Sequence, residues 1–186
     1  MRDPAQTLTH FLQQWGGQDD LWIFAYASLI WRPDFEFSEQ RPAKLHGWHR
    51  ALKMWSHINR GTPAVPGLVF ALLSGGSCRG VVYRVPKRAV IDVVSKLWLR
   101  EMMTGVYDPR TLHCQTDHGQ VQALAFTLSR RSPNYTGELS QAHYQQIFAD
   151  AIGRYGSTRD YALQTLESLQ RIGISDAALA KLLKSI

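Results

Sequence analysis

The sequence predicts an α+β protein whose strands form a curled sheet or a small barrel, with helices appended to it. Several apolar, strand-like runs occupy the first two thirds of the chain, one helical segment lies among them, and the last third has a helical pattern. No repeat, low-complexity segment or long linker separates these parts. We therefore expect one domain spanning residues 1–186.

The elements begin with a short helix at residues 4–15, where apolar side chains recur at helical spacing ahead of Gly16 and Gly17. Residues 21–26 are continuous, apolar and partly aromatic, which predicts a buried strand. The glycine-rich residues 74–77 favour a hairpin turn between two later strands. The further strands are predicted at 50–55, 67–73, 80–85, 111–115 and 121–128.

The helix among the strands is predicted at residues 88–104, with Gly105 in the left-handed position that commonly ends a helix. Ser175 is the expected N-cap of the last helix of the chain. The C-terminal region 139–186 is predicted to be helical, with helices at 139–155, 161–172 and 176–186.

Composition argues against several classes of protein. Apolar residues make up 45% of the chain and charged residues 19%, which is ordinary for a folded domain and argues against disorder. No apolar run approaches the roughly 20 residues that cross a membrane, and the first residues lack the apolar core of a secretory signal. Two cysteines are too few for a disulfide framework, so we expect reduced thiols and a cytoplasmic protein.

The formal net charge of +6 leaves nucleic acids and acidic ligands open as partners. Lys and Arg are scattered, however, and the Trp residues suit core or pocket walls better than a base-stacking surface. We therefore expect a small-molecule partner, no nucleic acid and no membrane, and the oligomeric state is left open. A mild positive field would help to collect a small anionic substrate.

Glu101 continues an apolar stripe on the predicted helix. It follows Val90, Val94 and Leu97 at a spacing that puts all four side chains on one helical face. A carboxylate in that position faces the core or a pocket. Arg100 lies about 100° away around the helix, so we expect it not to sit directly against Glu101.

Two effects are expected to raise the pKa of Glu101: loss of water around the carboxylate, and the negative end of the helix dipole in the last turn. A glutamate tuned in this way suits a group that takes a proton and returns it near neutral pH. The alternative is that the helix end frays and Glu101 turns outward to pair with a Lys or Arg.

Small residues follow the first strand, in the segment 25–33. Such residues let backbone N–H groups turn toward a ligand without obstruction, and the nest they form can hold a carboxylate or an oxyanion. Taken alone this is a weak signal, because small residues are common at strand ends.

The same segment resembles the G-Y-G-S-L-I-W signature of the ChaC-type, glutathione-specific γ-glutamylcyclotransferases. In this chain it reads Ala25-Tyr26-Ala27-Ser28-Leu29-Ile30-Trp31. Segments similar to further motifs of that family follow in the same order: His57 with Arg60-Gly61-Thr62 and Pro66-Gly67, then Cys78-Arg79-Gly80-Val81-Val82-Tyr83, then Leu99-Arg100-Glu101-Met102 with Gly105-Val106-Tyr107, and then Asn134-Tyr135-Thr136-Gly137.

The resemblance implies a small closed mixed β-barrel with flanking helices. It also implies a lyase that cleaves glutathione, or a related γ-glutamyl peptide, to 5-oxoproline without a metal or other cofactor. Glu101 matches the family's catalytic glutamate, the general base and acid while the substrate's α-amine attacks its own δ-carbonyl. The implied substrate-binding residues are Ala25, Tyr26, Ala27, Ser28, Leu29 and Ile30, which match the loop around the γ-glutamyl group, and Tyr135, which resembles a tyrosine that helps to hold the substrate.

The chain departs from the family signature at Ala25 and Ala27, where the family has glycines. If either position needs a positive φ, alanine costs on the order of 1 kcal/mol. If the glycines serve close backbone approach, each methyl group crowds the ligand instead. A non-catalytic protein that binds γ-glutamyl or related small molecules on the same scaffold is therefore the alternative.

Two other kinds of active centre are conceivable from the residues alone. His46, His49 and His57 lie close in sequence, but no Asp, Glu or Cys ligand group accompanies them, so zinc is disfavoured. A thiol hydrolase would use Cys78 or Cys114, which are more simply explained as a strand-edge residue and a buried apolar residue.

Overall fold

The computed structural model describes residues 3–102 and 105–185. None of the helices in this part of the chain is long and apolar enough to cross a membrane. The chain forms two compact units: the first comprises Met1–His49 and Leu72–Ser129, and the second comprises Arg50–Ala71 and Arg130–Ile186. The expectation of a single domain over the whole chain stays a prediction.

The first unit is built around strands. Its elements in chain order are α1 (Pro4–Trp15), β1 (Leu21–Ala25), β2 (Glu39–Ser56), β3 (Gly67–Val85), α2 (Val90–Glu101), β4 (Asp108–Thr116) and β5 (Gly119–Thr127). The long strands β2 and β3 continue from the first unit into the second. Single turns of 3-10 helix lie at Ser28–Ile30 and Lys87–Ala89.

Five strands close a barrel in the order β1-β3-β2-β4-β5. β1 pairs with β3 in the antiparallel direction, with Leu21 opposite Val85 and Ala25 opposite Val81, and with β5 in the parallel direction. β4 and β5 form an antiparallel hairpin. The barrel is therefore closed and mixed, which confirms the predicted fold class.

The core of the first unit consists of the apolar runs that predicted its strands. Ile23, Phe24, Val82 and Leu124 are completely buried. Burying a side chain of this kind stabilises a fold by roughly 1.5–3 kcal/mol. Because β1 is paired on both sides and buried, the loop that follows it starts from a firmly held point.

The hairpin expected at residues 74–77 is wrong, because β3 continues through them as one strand. Gly75 and Gly76 have positive φ angles of 97° and 72°. The Nδ1 atom of His49, on β2, lies 2.8 Å from the Gly75 carbonyl oxygen, and a Cβ added to Gly76 would lie 3.6 Å from the Cβ of His49. The two glycines thus have left-handed backbone within β3, and the chain continues as one strand instead of reversing.

Other element bounds differ from the expected ones. α2 begins at Val90, two residues later than predicted, and residues 103–104 of the predicted helix lie outside the described residues. Gly105 has the predicted left-handed backbone, with a φ of 61°, but α2 ends at Glu101 and Met102 is its C-cap, so the prediction that Gly105 ends the helix is wrong. β2 begins at Glu39, well before the predicted start, because its first half alternates between buried and more exposed residues and so lacks a continuous apolar run.

The second unit is mostly helical. The helix expected at 139–155 is shorter, because the chain leaves it at Ala151 and forms a small hairpin. Asp176, and not Ser175, caps the last helix, since its carboxylate accepts a hydrogen bond from the Leu179 N–H. The elements are α3 (Gln141–Asp150), β6 (Ile152–Gly153), β7 (Gly156–Ser157), α4 (Thr158–Arg171) and α5 (Ala177–Lys184).

Candidate active site

Glu101 is the last residue of α2 and continues its buried face. Val90 and Val94 are completely buried and Leu97 nearly so, which confirms the apolar stripe predicted from their spacing. The Glu101 side chain is itself only 17% exposed. The helix therefore presents a carboxylate where the preceding residues of the stripe present apolar groups.

Arg100 lies directly against Glu101, so the expectation that the two side chains would be apart is wrong. The Arg100 Nε atom is 3.1 Å from Glu101 Oε1. Side chains at adjacent helical positions diverge at their Cβ atoms, but both of these are long. The guanidinium is drawn toward the loop after β1, where it donates hydrogen bonds, and this path passes the carboxylate.

Burial raises the pKa of the Glu101 carboxyl, and the charge and hydrogen bond of Arg100 oppose that rise without cancelling it. Desolvation acts on the anion alone, whereas the guanidinium stabilises it. The alternative prediction was that Glu101 turns outward and pairs with a cation, and only the pairing is observed. Glu101 has a cationic partner, but its side chain stays largely buried.

The loop after β1 turns tightly. The Ile30 N–H donates to the Ala27 carbonyl at 2.8 Å, and the Arg32 N–H donates to the Ser28 carbonyl at 2.9 Å. Ser28 and Leu29 open this 3-10 turn, so their N–H groups precede its first internal hydrogen bond. These two N–H groups are therefore candidate donors to a ligand or to water.

The hydroxyl groups of two buried tyrosines connect the loop to the barrel strands. The hydroxyl of Tyr26 donates to the Phe126 carbonyl at 3.0 Å, and the hydroxyl of Tyr83 donates to the Ile30 carbonyl at 3.1 Å. The side chain of Tyr26 thus bonds to a barrel strand, and it is the backbone of Tyr26 that follows β1 into the loop. The Leu29 side chain is buried as well.

One guanidinium joins the loop to Glu101. Arg100 Nη2 donates to Ser28 Oγ at 3.0 Å, and Arg100 Nη1 donates to the Arg32 carbonyl at 2.6 Å. The structure therefore brings Ser28 and Glu101, both predicted from sequence, to two sides of Arg100. Sequence analysis missed Arg100, although the motif containing Glu101 also contains it.

Neither alanine of the loop needs a glycine-like backbone. Ala27 has a φ of −145°, and Ala25 lies within β1 opposite Val81. Among the described residues, Asp34 is the one non-glycine residue with a positive φ, at 53°. The conformational cost considered for Ala25 and Ala27 therefore does not arise, and both side chains are buried.

Tyr135 lies in the second unit. It forms an isolated antiparallel bridge with Met54, and its hydroxyl accepts a hydrogen bond from Arg130 Nη1 at 2.9 Å. The Arg130 guanidinium also lies over the tyrosine ring, 5.6 Å from its centroid. The role of Tyr135 in holding a substrate stays a prediction.

The residues considered for other chemistry are not assembled into a centre. Within residues 3–102 and 105–185, no group of three or more His, Cys, Asp or Glu side chains is placed to hold a metal ion. Cys78 and Cys114 are both buried. Burial, with a smaller contribution from Cys78, raises the pKa of the Cys114 thiol to about 12, which keeps it protonated and a poor nucleophile.

Comparison with known proteins places the chain among relatives of one kind. A family model described as ChaC-like protein matches residues 21–186. The glutathione-specific γ-glutamylcyclotransferase of Escherichia coli (strain K12) is 36% identical over 167 residues, which cover 89% of this chain and 72% of that protein. The human glutathione-specific γ-glutamylcyclotransferase 1 is 34% identical over 164 residues, covering 85% and 73%.

The fold has counterparts among solved structures. The crystal structure of a selenomethionine-labelled γ-glutamyl cyclotransferase specific to glutathione from yeast superposes with a TM-score of 0.82, covering 90% of this chain and 96% of that one at 20% identity. YkqA from Bacillus subtilis gives a TM-score of 0.62 at 18% identity, covering 95% of this chain and 57% of that one. From the extent of the family match and the identity to both relatives, this chain belongs to the ChaC-like protein family.

Proposed function

We propose that this protein is a glutathione-specific γ-glutamylcyclotransferase, a lyase that releases 5-oxoproline and cysteinylglycine from glutathione. The observation that carries the proposal is Glu101, a largely buried carboxylate with a raised pKa beside a loop with two backbone donors. The names of the E. coli and human relatives, which are glutathione-specific γ-glutamylcyclotransferases, support the same activity.

The proposed reaction is a cyclisation within the substrate. The α-amine of the γ-glutamyl group attacks the δ-carbonyl carbon, a new C–N bond closes a five-membered lactam, and the bond to the cysteinyl nitrogen breaks. Because nucleophile and electrophile belong to one molecule, the enzyme needs chiefly to hold the reactive conformation and to move protons. The reaction written in this way needs no metal, nucleotide or covalent intermediate.

Glu101 is assigned to the proton transfers. The α-amine is mostly an ammonium ion near neutral pH, since its pKa is about 8, and an ammonium ion is no nucleophile. Glu101 takes that proton and gives it to the cysteinyl nitrogen as the C–N bond breaks. The attacking nitrogen loses a second proton as the lactam forms, and Glu101 passes this proton to the released amine of cysteinylglycine, so that the carboxylate is regenerated. The raised pKa of Glu101 suits both steps, because a base that holds its proton too weakly would not accept it.

The loop is assigned to the substrate's γ-glutamyl group. The N–H groups of Ser28 and Leu29 would hold its carboxylate or the oxyanion that develops on the δ-carbonyl oxygen. Ala25, Tyr26, Ala27 and Ile30 would contribute backbone and small apolar surface to the same group. Tyr135 is proposed to help hold the substrate.

The cytoplasm is the proposed location. Both cysteines are buried thiols, which suits a reducing compartment in which a glutathione-consuming enzyme meets its substrate.

The test is release of 5-oxoproline from glutathione by the purified protein and by its Glu101→Gln variant. Glutamine keeps the size of the side chain but cannot accept the proton, so turnover should fall by about 10²- to 10⁴-fold. Glu36→Gln is the matched control, because Glu36 is an exposed carboxylate that pairs with Arg88 at the surface.

Two outcomes would contradict the proposal. Turnover by a folded Glu101→Gln protein at the wild-type rate would remove Glu101 from the mechanism. Binding of glutathione by the wild-type protein without any 5-oxoproline would instead favour the non-catalytic alternative, in which the methyl groups of Ala25 and Ala27 hinder the reactive conformation.

A further inference from the structure

The Arg100 guanidinium contacts both the end of α2 and the loop after β1. A guanidinium has five N–H groups. Here one is directed at Glu101 Oε1, one at the Arg32 carbonyl and one at Ser28 Oγ, and the carboxylate of Asp34 lies 3.6 Å from Nη1. The side chain is 27% exposed. The Arg100 side chain therefore links the C-terminal end of α2 to the loop after β1.

We infer that Arg100 is a positioning residue that fastens the Glu101 carboxylate to the loop of residues 28–34, so that the proton acceptor and the loop N–H groups keep a fixed separation during the reaction. This inference rests on the proposed function and deepens it. Loop and carboxylate come from distant parts of the sequence, and one planar, rigid side chain bonds to both.

A link between the end of α2 and the loop is useful because the proposed reacting groups lie on these two separate elements. Glu101 is the last residue of α2, where a helix has lost part of its own hydrogen bonding. The loop contains only a single 3-10 turn. A contact that joins these two elements fixes the distance between the reacting groups, and a displacement of about 1 Å costs on the order of 100-fold in rate.

Arg100 also stabilises the anionic form of Glu101. Among the described residues it is the charged group that acts on Glu101, while Asp34 lies on the other side of the guanidinium. Burial raises the pKa of Glu101 and Arg100 lowers it. Removing Arg100 therefore raises the pKa further, and the fraction of Glu101 able to accept a proton falls at any pH below that pKa.

The experiment compares two variants. Arg100→Met keeps much of the apolar length of the side chain, and Arg100→Lys keeps the positive charge but not the branched guanidinium group. Arg88→Gln is the control, since Arg88 is an exposed cation paired with Glu36 at the surface. kcat and KM are measured across pH with glutathione. The carboxyl carbon of Glu101 is titrated by ¹³C NMR, with Glu101→Gln used to assign its signal.

We expect Arg100→Met to lower kcat by about 10- to 100-fold and to move the acid limb of the kcat profile to higher pH. The NMR titration should move in the same direction. Arg100→Lys should return the acid limb toward its wild-type position without restoring kcat, because an ammonium cannot bond to Ser28, Arg32 and Glu101 together. Arg88→Gln should change neither quantity.

The inference is overturned if Arg100→Met keeps the wild-type kcat, or if its Glu101 titrates at the wild-type pH. If Arg100→Met does not fold, the test uses Arg100→Lys. A wild-type kcat in that variant would show that Arg100 does not position Glu101 relative to the loop. If the wild-type protein forms no 5-oxoproline, the proposed function fails. The NMR titration still tests the Arg100–Glu101 link, because it needs no turnover.

Discussion

Gly80 shows how a single residue governs the start of the loop. A Cβ added to Gly80 would lie 2.2 Å from the Ala25 carbonyl oxygen and 3.0 Å from the Phe24 ring, and no real Cβ atom approaches a carbonyl oxygen that closely. Ala25 is the last residue of β1, and the loop follows it. The glycine in the segment Cys78–Tyr83 is thus explained by close packing against the strand that carries the loop.

Gly80→Ala is expected to push the Ala25 carbonyl outward, because Phe24 is completely buried and cannot yield. The free energy of unfolding should fall by about 1–3 kcal/mol, and KM for glutathione should rise since the loop is displaced. Urea unfolding and steady-state kinetics measure the two effects. Ser77→Ala, at an exposed position of the same strand, should change stability by less than about 0.5 kcal/mol. Equal stability of both variants would contradict the argument.

At the scale of elements, the segment between β2 and β3 is held by a close crossing of backbones within the second unit. A Cβ on Gly61 would lie 2.0 Å from the Gly67 nitrogen, and one on Gly153 would lie 2.5 Å from the Gly61 nitrogen. The hairpin β6–β7 adds hydrogen bonds from the N–H groups of Arg154 and Tyr155 to the carbonyls of Ile58 and Asn59. These glycines therefore have a structural role.

Gly67→Ala is expected to be among the most destabilising single changes in the second unit. Its Cβ would lie 2.0 Å from the Arg60 carbonyl oxygen, and backbone rather than a flexible side chain would have to move. We expect a loss of about 3 kcal/mol or more, measured by urea unfolding. Gly137→Ala is the control, since open space surrounds it and only its φ of 70° opposes a side chain, at a cost of about 1 kcal/mol. Similar losses for the two variants would refute the crossing argument.

At the scale of the whole molecule, the net charge of +6 bears on how the proposed substrate arrives. Glutathione at neutral pH carries two carboxylates and one ammonium group, and so has a net negative charge. A positive protein raises the local concentration of such an anion, and salt screens the attraction, because the Debye length falls from about 10 Å at 0.1 M to about 3 Å at 1 M.

We therefore expect kcat/KM for glutathione to fall several-fold as ionic strength rises from about 0.02 to 0.5 M. Glutathione with its glycine carboxylate amidated has no net charge and should show a much weaker dependence. Initial rates of 5-oxoproline formation over a salt series provide the measurement. Identical salt dependence for the two substrates would show that the net charge plays no part in capture.

Several features could be predicted because they depend on neighbours in the chain. Periodic apolar residues predicted the strands and α2, and the same periodicity placed Glu101 on a buried face. The hairpin at 74–77 was wrong because a glycine pair permits a turn and a bent strand equally, and contact with His49 on β2 decides between them. The N-cap at Ser175 was wrong because Asp176, next to it, is a cap of equal propensity that is also bonded to Arg50.

Local periodicity and the ordered motifs were enough to predict the fold class, the buried face of α2 and the candidate proton acceptor. The bonds from Arg100 to Glu101, Ser28 and Arg32, and the negative φ of Ala27, could be found only in the folded chain. Arg32 and Ser28 lie 68 and 72 positions from Arg100, and the contact with the adjacent Glu101 depends on the path of the guanidinium toward them. Such contacts follow from the closure of the barrel and leave no periodic trace in the chain.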